Sequence, residues 1–325
     1  MRIIRNLREV EATHRSVSVA IGNFDGVHLA HQRLLQNVVQ AARTLGSVAA
    51  ALTFEPHPAV VLAPERAPRL LTPLEVKARL IEQQGIELLV VLPFTAALSQ
   101  VGPREFVRQV LREALHAASV HVGPNFRFGH RQAGDVTLLR ELAPELGFRL
   151  ELLSEVEVRG ERVSSSRVRE LLSGGRVGLA GRLLGRPYSI RGAIVHGSGV
   201  GKKFTVPTLN LAPVDVQHPQ DGVYVTCTRL GEVSYQSATN VGHKPTFGEH
   251  RLTIESYLLD FHGEVDAAEM EVEFLYRLRN EMKFPDPAAL KAQIQTDARR
   301  SLKFFRLHSL LQRKRVSRVT LQAER

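Results

Sequence analysis

The sequence predicts two domains of different class: an α/β domain on a parallel sheet, followed by an antiparallel β-barrel with a terminal helix. Three observations carry the prediction. The chain has 325 residues, more than one hydrophobic core ordinarily serves. Its first half alternates short apolar runs with segments of helical spacing. Its second half turns to β-branched and aromatic runs separated by turn residues. The change of pattern divides the chain into residues 1–182 and 183–325.

Each element follows from local pattern. SVSVAI (16–21) is a short strand, and HQRLLQNVVQAARTL (31–45) repeats apolar residues at helical spacing. SVAAALTF (47–54) is an apolar run ending at a proline-rich loop, as a buried parallel strand does. Thr72, Pro73 and Glu75 form a capping-box signature with proline at the first helical position, opening LEVKARLIEQQ. IELLVVLPF (86–94), the helix PREFVRQVLREALH (103–116) and ASVHVG (118–123) continue the alternation. DVTLLRELAPELG is a helix that Pro144 is expected to bend or end, and FRLELL (148–153) is the strand after it. Repeated β–α units with buried strands imply a parallel sheet covered on both faces. The connector SGGRVGLAGRLLGRP (173–187) holds a short helix. Beyond it YSIRGAIVHG, GVYVTCTRL, VSYQSATNVG, RLTIESYLLDF and EMEVEFLYRLR read as barrel strands. Asp286 and Pro287 supply the N-cap and first turn of a helix reaching about residue 311.

Composition narrows the function classes. Hydrophobic residues make up 43% and charged residues 23%, ordinary for a folded protein. There is no run of 18 apolar residues and no apolar signal core at the start, so a cytoplasmic location without a membrane partner is expected. Cys227 is the single cysteine, which excludes an internal disulfide and reads as a small packed strand residue. A net charge of +10 suits either nucleic acid or phosphorylated metabolites. With no tryptophan and 6% aromatic residues there is little to stack on bases, so small molecules rather than nucleic acid are the expected partners. The run Arg313, Lys314, Arg315 and Arg318 reads as a solvated end. None of this fixes an oligomeric state.

The first candidate site lies where SVSVAI runs into GNFDGVHLAH (22–31). Gly22 and Gly26 let the backbone approach a ligand, and a helix N-terminus follows, ready for a phosphate. His28 and His31, three residues apart, point from the first helical turn. With 13 histidines, chance alone yields roughly half such a pair per sequence, so the strand-to-helix position carries the argument. TFEPHP (53–58) ends the next strand on the same sheet edge. VGPNFRFGHRQAGD (122–135) brings Asn125 and Arg127 out of another strand. VSSSRVRELLSGG (163–175) puts serines and arginines at a helix start, which suits either simple N-capping or a triphosphate.

GNFDGVHLAH, NFRFG and SSSRVR, in this order and spacing, resemble the FMN adenylyltransferase domain of bacterial bifunctional FAD synthetases. That domain belongs to the nucleotidyl transferases with an HxGH-type signature, and Ala30 stands where the family has glycine. The resemblance implies a Rossmann-like domain that moves AMP from ATP to FMN, giving FAD and pyrophosphate. It implies that His28 and His31 hydrogen-bond the α-phosphate and its transition state. It also implies that Ser164, Ser165 and Arg169 hold the triphosphate tail, and that Asn23 and Asn125 bind phosphate or flavin. Gly22, Phe24, Asp25, Gly26 and Arg127 belong to the same nucleotide and flavin site. The attacking FMN phosphate is already anionic, so positioning and charge stabilisation are the expected chemistry.

The second candidate site opens the barrel half. Gly197, Gly199 and Gly201, followed by Lys202 and Lys203, make either a solvated hairpin turn or a cationic loop over phosphates. In Pro207-Thr208-Leu209-Asn210, a threonine and an asparagine two residues apart share one side of a strand. Both offer hard oxygen ligands of the kind Mg²⁺ accepts beside nucleotide phosphates. Glu255, within TIESYLLDF, faces water or, if turned inward beside Thr208 and Asn210, is a general base for a hydroxyl. With NVGHKPTFG (240–248) and RLRNEMKF (277–284), these segments resemble the riboflavin kinase module. That resemblance implies a six-stranded barrel with Mg²⁺ on Thr208 and Asn210. It implies that Glu255 deprotonates the riboflavin 5′-hydroxyl, which attacks the γ-phosphorus of ATP.

Two rivals explain less. A nucleotidyl transferase for another product accounts for GNFDGVHLAH and leaves the second half without a task. A basic RNA-binding protein accounts for the charge and leaves Thr208 and Glu255 without one.

Overall fold

The computed structural model describes residues 1–11, 16–195, 208–246, 249–263 and 265–323. It divides into two compact units, Met1–Arg167 and Val168–Arg325.

The first unit is built on a sheet of β1 (Arg2–Ile4), β2 (Val17–Ile21), β3 (Val48–Glu55), β4 (Leu88–Pro93), β5 (Ala117–Val122) and β6 (Arg149–Leu152). The strands lie in the order β1-β4-β3-β2-β5-β6 and every pair is parallel. Between them run α1 (Arg8–Glu11), α2 (Leu29–Leu45), α3 (Pro58–Leu62), α4 (Leu74–Glu82), α5 (Ala96–Ser99), α6 (Pro103–Phe106) and α7 (Val136–Leu146). α6 continues into a π-wound segment, Val107–Ala114. A small hairpin of β7 (Glu157–Val158) and β8 (Glu161–Arg162) precedes α8 (Ser165–Ser173), and the division between units falls inside α8.

Strand alternation gives the sheet two buried faces. Val17, Val19, Ile21, Leu52 and Val90 pack with Val110, Leu111 and Leu139 on one side. Ala20, Ala51, Leu89 and Val91 pack with Leu35 and Val38 of α2 and with Ile81 of α4 on the other. Strand order reverses at β2, whose neighbours are β3 and β5, and a ligand crevice forms outside the carboxyl ends at such a point. The loops after β2, β3 and β5 therefore share one rim.

Two local expectations differ from the structure. α7 runs through Pro144 to Leu146 and ends at Gly147, whose left-handed backbone (φ 76°) returns its N–H to Ala143. Pro144 is exposed and one turn from that end, so water can take the carbonyl it strands. Pro73, placed by the capping-box reading at the first helical position, is instead the N-cap of α4 and makes no side-chain cap bond.

The second unit holds α9 (Val177–Leu184) and the strands β9 (Tyr188–Val195), β10 (Thr208–Leu211), β11 (Gly222–Leu230), β12 (Val233–Thr246), β13 (Glu249–Leu258) and β14 (Glu269–Arg279). They close a six-stranded barrel in the order β10-β13-β12-β11-β14-β9, antiparallel throughout. Inside it, Thr228, Ser237, Thr226, Thr239 and Ser256 form a chain of hydroxyl hydrogen bonds of 2.6–2.8 Å, fully buried. Every hydroxyl in that chain has at least one partner, and Ser237 also donates to the Thr226 carbonyl, so the polar interior leaves none unpaired.

α10 (Pro287–Ala323) starts as expected, with Asp286 Oδ1 accepting the Ala289 N–H at 2.8 Å, and runs past residue 311. It packs on the outside of the barrel, where Phe305 meets Val225, Ala238 and Tyr257, and Cys227 packs beside them. Asp297, 3% exposed, accepts Arg279 at 3.0 and 2.8 Å and Gln293 at 3.0 Å. That fork ties α10 to β14.

Candidate active sites

The loop after β2 is held against its own preference. Phe24 (φ 49°) and Val27 (φ 40°) are left-handed although neither is glycine, so tertiary contacts fix it. Asp25 provides them. Its carboxylate, 1% exposed, accepts the N–H groups of Leu71 at 2.9 Å and Thr72 at 3.1 Å. Gly26 donates its N–H to Thr72 Oγ1 at 3.1 Å, which is why Thr72 does not cap α4. Ser165 Oγ donates to the Asp25 carbonyl at 2.8 Å and draws the start of α8 onto the loop. The Phe24 ring is fully buried beneath.

His28 is the N-cap of α2, and its Nδ1 accepts the His31 N–H at 3.3 Å. The two imidazoles stack, with centroids 3.6 Å apart and planes 16° from parallel. Burial, then the neighbouring His28, then Lys77 hold the His31 imidazole well below its ordinary pKa. His31 is therefore neutral at pH 7. His31 Nδ1 is buried and has no hydrogen-bond partner.

Several of the other sequence candidates lie on the loops after β2, β3 and β5 or on α8. Asn23 is exposed, its Nδ2 3.2 Å from His57 Nε2, so the TFEPHP segment reaches the same edge. Asn125 is exposed just beyond β5, and Arg127 pairs with Asp135 at 3.4 Å. Ser164 Oγ accepts the Arg167 N–H at 3.2 Å, which leaves its hydroxyl proton for another acceptor. Arg169 stands one turn further along α8.

Lys77 escaped the sequence reading. It lies in the first turn of α4 and is 2% exposed. A signal was available: Leu74, Lys77, Ala78 and Ile81 fall on one helical stripe, and a lysine inside an apolar stripe is out of pattern.

In the barrel, register decides the second site. Asn210 lies directly opposite Glu255, and Glu255 directly opposite Asn240, across three adjacent strands. Directly opposed residues share a face, with Cβ atoms about 5 Å apart. Ile254, Ser256 and Leu258 are buried and take the barrel interior. Of the two orientations open from sequence, Glu255 therefore takes the outward one, and Thr208 and Asn210 face outward with it. Asn240 Nδ2 donates to Glu281 Oε1 at 3.3 Å, adding a second carboxylate that the sequence reading missed. A Cβ on Gly242 would run into that Glu281 carboxylate, so glycine there gives it room.

Beside Glu281 a polar cavity of about 510 Å³ is lined by Ser173, Gln217, His218, Asp221, Arg277 and Glu281. Gly197, Gly199, Gly201 and Lys202 lie outside the described residues. Among the described residues no three His, Cys, Asp or Glu side chains gather as a metal site.

Comparison with known proteins covers both units. Residues 10–167 match the family model described as FAD synthetase, and residues 184–305 the model described as riboflavin kinase. The bifunctional riboflavin kinase/FMN adenylyltransferase of Pseudomonas fluorescens is 34% identical, over 91% of this chain and 96% of its own. That of Haemophilus influenzae is 33% identical, over 94% and 99%. A crystal structure described as a macrolide-efflux protein from Streptococcus pneumoniae is 28% identical, with a TM-score of 0.81 over 91% of this chain and 96% of its own. Among the described residues no helix is long and apolar enough to cross a membrane.

Proposed function

This chain belongs to the bifunctional riboflavin kinase/FMN adenylyltransferase family and makes FAD from riboflavin with ATP, and on that premise we propose which residues carry each step. One observation carries the reading: the groups held at the two sites differ as the two nucleophiles do. A stacked imidazole pair stands at the α2 N-terminus, where the nucleophile is a phosphate already charged. A carboxylate stands opposite Asn210, where the nucleophile is a hydroxyl that must lose a proton.

In the adenylyl step an FMN phosphate oxygen attacks the α-phosphorus of ATP. The bond to the bridging oxygen breaks, and its electron pair leaves with pyrophosphate. His28 and His31 donate hydrogen bonds to the α-phosphate, and the α2 N-terminus adds positive potential. Gly22 and Gly26 let the backbone close on the nucleotide, while Phe24 and Asp25 fix the loop from beneath. The Ser164 hydroxyl and Arg169 hold the triphosphate tail. Ser165, whose proton goes to the Asp25 carbonyl, positions the loop. Asn23, Asn125 and Arg127 receive FMN.

In the kinase step Glu255 takes the proton of the riboflavin 5′-hydroxyl, whose oxygen attacks the γ-phosphorus while ADP leaves. Thr208 and Asn210 fit Mg²⁺, since both present oxygen donors on one outward face beside Glu255. Such an ion supplies charge neutralisation to the nucleotide phosphates. Gly197, Gly199, Gly201 and Lys202 are assigned to those phosphates from the sequence alone. The cavity beside Glu281 has the volume of a small-molecule site and takes part of the substrate pair. Residues 1–182 carry adenylyl transfer and 183–325 the kinase, and the location is the cytoplasm, where ATP is available to both.

The test is complementation. Glu255→Gln alone should make no FAD from riboflavin, and the double variant His28→Ala/His31→Ala should stop at FMN. Mixed together with ATP and Mg²⁺, the two should produce FAD. A mixture that still fails, although both variants are folded, removes the division of labour.

A further inference from the structure

Lys77 is a buried cation with no acceptor. It is 2% exposed, and no hydrogen bond or ion pair reaches its ammonium group among the described residues, although Nζ itself is not fully sealed from solvent. Asp25 and Glu55 are the charges of opposite sign near it. Neither forms an ion pair with it, and the Asp25 carboxylate is already occupied by the N–H groups of Leu71 and Thr72. Side chains on a helix lean toward its N-terminus, so Lys77 projects back toward Thr72, which binds Gly26. On the other side it is close enough to His31 for the two charges to oppose one another.

Burying an ammonium group without a partner is unfavourable, and a protein with only structural needs would place an apolar side chain there. The arrangement makes sense when an anion completes it. The His31 imidazole at this corner is the wrong source of charge, because burial holds it neutral at pH 7. Adenylyl transfer nevertheless brings an FMN phosphate and a triphosphate together, and needs positive charge near the reacting phosphorus.

Resting on the assignment of adenylyl transfer to this corner, we propose that Lys77 is a phosphate-binding catalytic residue of that step, its ammonium group donating to the reacting phosphates of ATP beside His31. No proton is transferred. The lysine stabilises negative charge that grows on the α-phosphate and the leaving pyrophosphate.

The experiment uses the full chain, supplied FMN and ATP, and three variants. Lys77→Met keeps the length of the side chain and removes its charge, and kcat/KM for FAD formation should fall about 10²-fold. Lys77→Gln, neutral but hydrogen-bonding, should fall similarly, whereas Lys77→Arg should stay within about tenfold of the parent. The melting temperature of the ligand-free Met variant should be unchanged or higher, since an unpaired buried charge is gone. FAD formation within threefold of the parent in the Gln or Met variant overturns the inference. So does a lower melting temperature with riboflavin phosphorylation lost as well, which would make the lysine structural. A His28→Ala/His31→Ala variant that still makes FAD at the parent rate would instead remove the assignment of the corner itself.

Discussion

The two candidate sites are assembled in different ways. The proposed adenylyl corner is dominated by one short stretch, residues 22–31, wedged into shape by Asp25 and Thr72. The kinase row has no such stretch: Asn210, Glu255 and Asn240 come from three strands and meet only through register. A one-residue slip in β13 would turn Glu255 into the interior and bring Ser256 outward. The first site is thus specified by a loop that resists its own backbone preference, the second by hydrogen-bond ladders. The proposed chemistry divides the same way, with hydrogen-bond donors for an ionised nucleophile and a carboxylate for a protonated one.

The largest expected effect is on the second site. Glu255→Gln keeps shape and one carbonyl but removes the base, so riboflavin phosphorylation should fall roughly 10²–10⁴-fold. FAD formation from supplied FMN should stay near the parent rate. Kinase activity within threefold of the parent would demote Glu255 to an outward strand residue. At the first site, His28→Ala/His31→Ala should cut FAD formation about 10²–10³-fold while FMN accumulates, measured by separating the flavins.

Stability should separate the units as well. Asp297→Ala leaves Arg279 without its fork, and a broken buried pair costs about 3–5 kcal/mol. Two melting transitions, with only the one for the barrel unit lowered, are expected by calorimetry. A smaller contrast comes from pH. Burial pushes the His121 imidazole of β5 down to about 4, and among the described residues the barrel unit buries no histidine. Below pH 6.5 the unfolded chain takes up a proton that the folded one refuses, so the first unit loses stability as pH falls toward 4. The loss should approach about 3 kcal/mol for this group alone. A pH series of melts in which His121→Leu shows the same slope would contradict it.

Most of the architecture was legible because it rests on local pattern. Apolar runs of strand length alternating with helical stripes gave β2 to β6, and Asp286-Pro287 marked the start of α10. The misreadings each involve a residue whose local role was overridden. Thr72 looks like a cap, but the Gly26 N–H competes for its oxygen. Pro144 looks like a stop, yet it sits on an exposed turn that tolerates it.

By itself, the sequence determined the order of elements, the glycine-containing strand-to-helix loop and the candidate groups proposed to act on a phosphate. These depend on spacing and residue type within a few positions. Only the tertiary structure decided which face Glu255 occupies, that Glu281 reaches Asn240, that the Asp25 carboxylate accepts the Leu71 and Thr72 N–H groups, and that Lys77 is buried. Burial and cross-strand register depend on residues 30 to 50 positions away, and the free energy of a buried charge is set by those neighbours rather than by the residue that carries it.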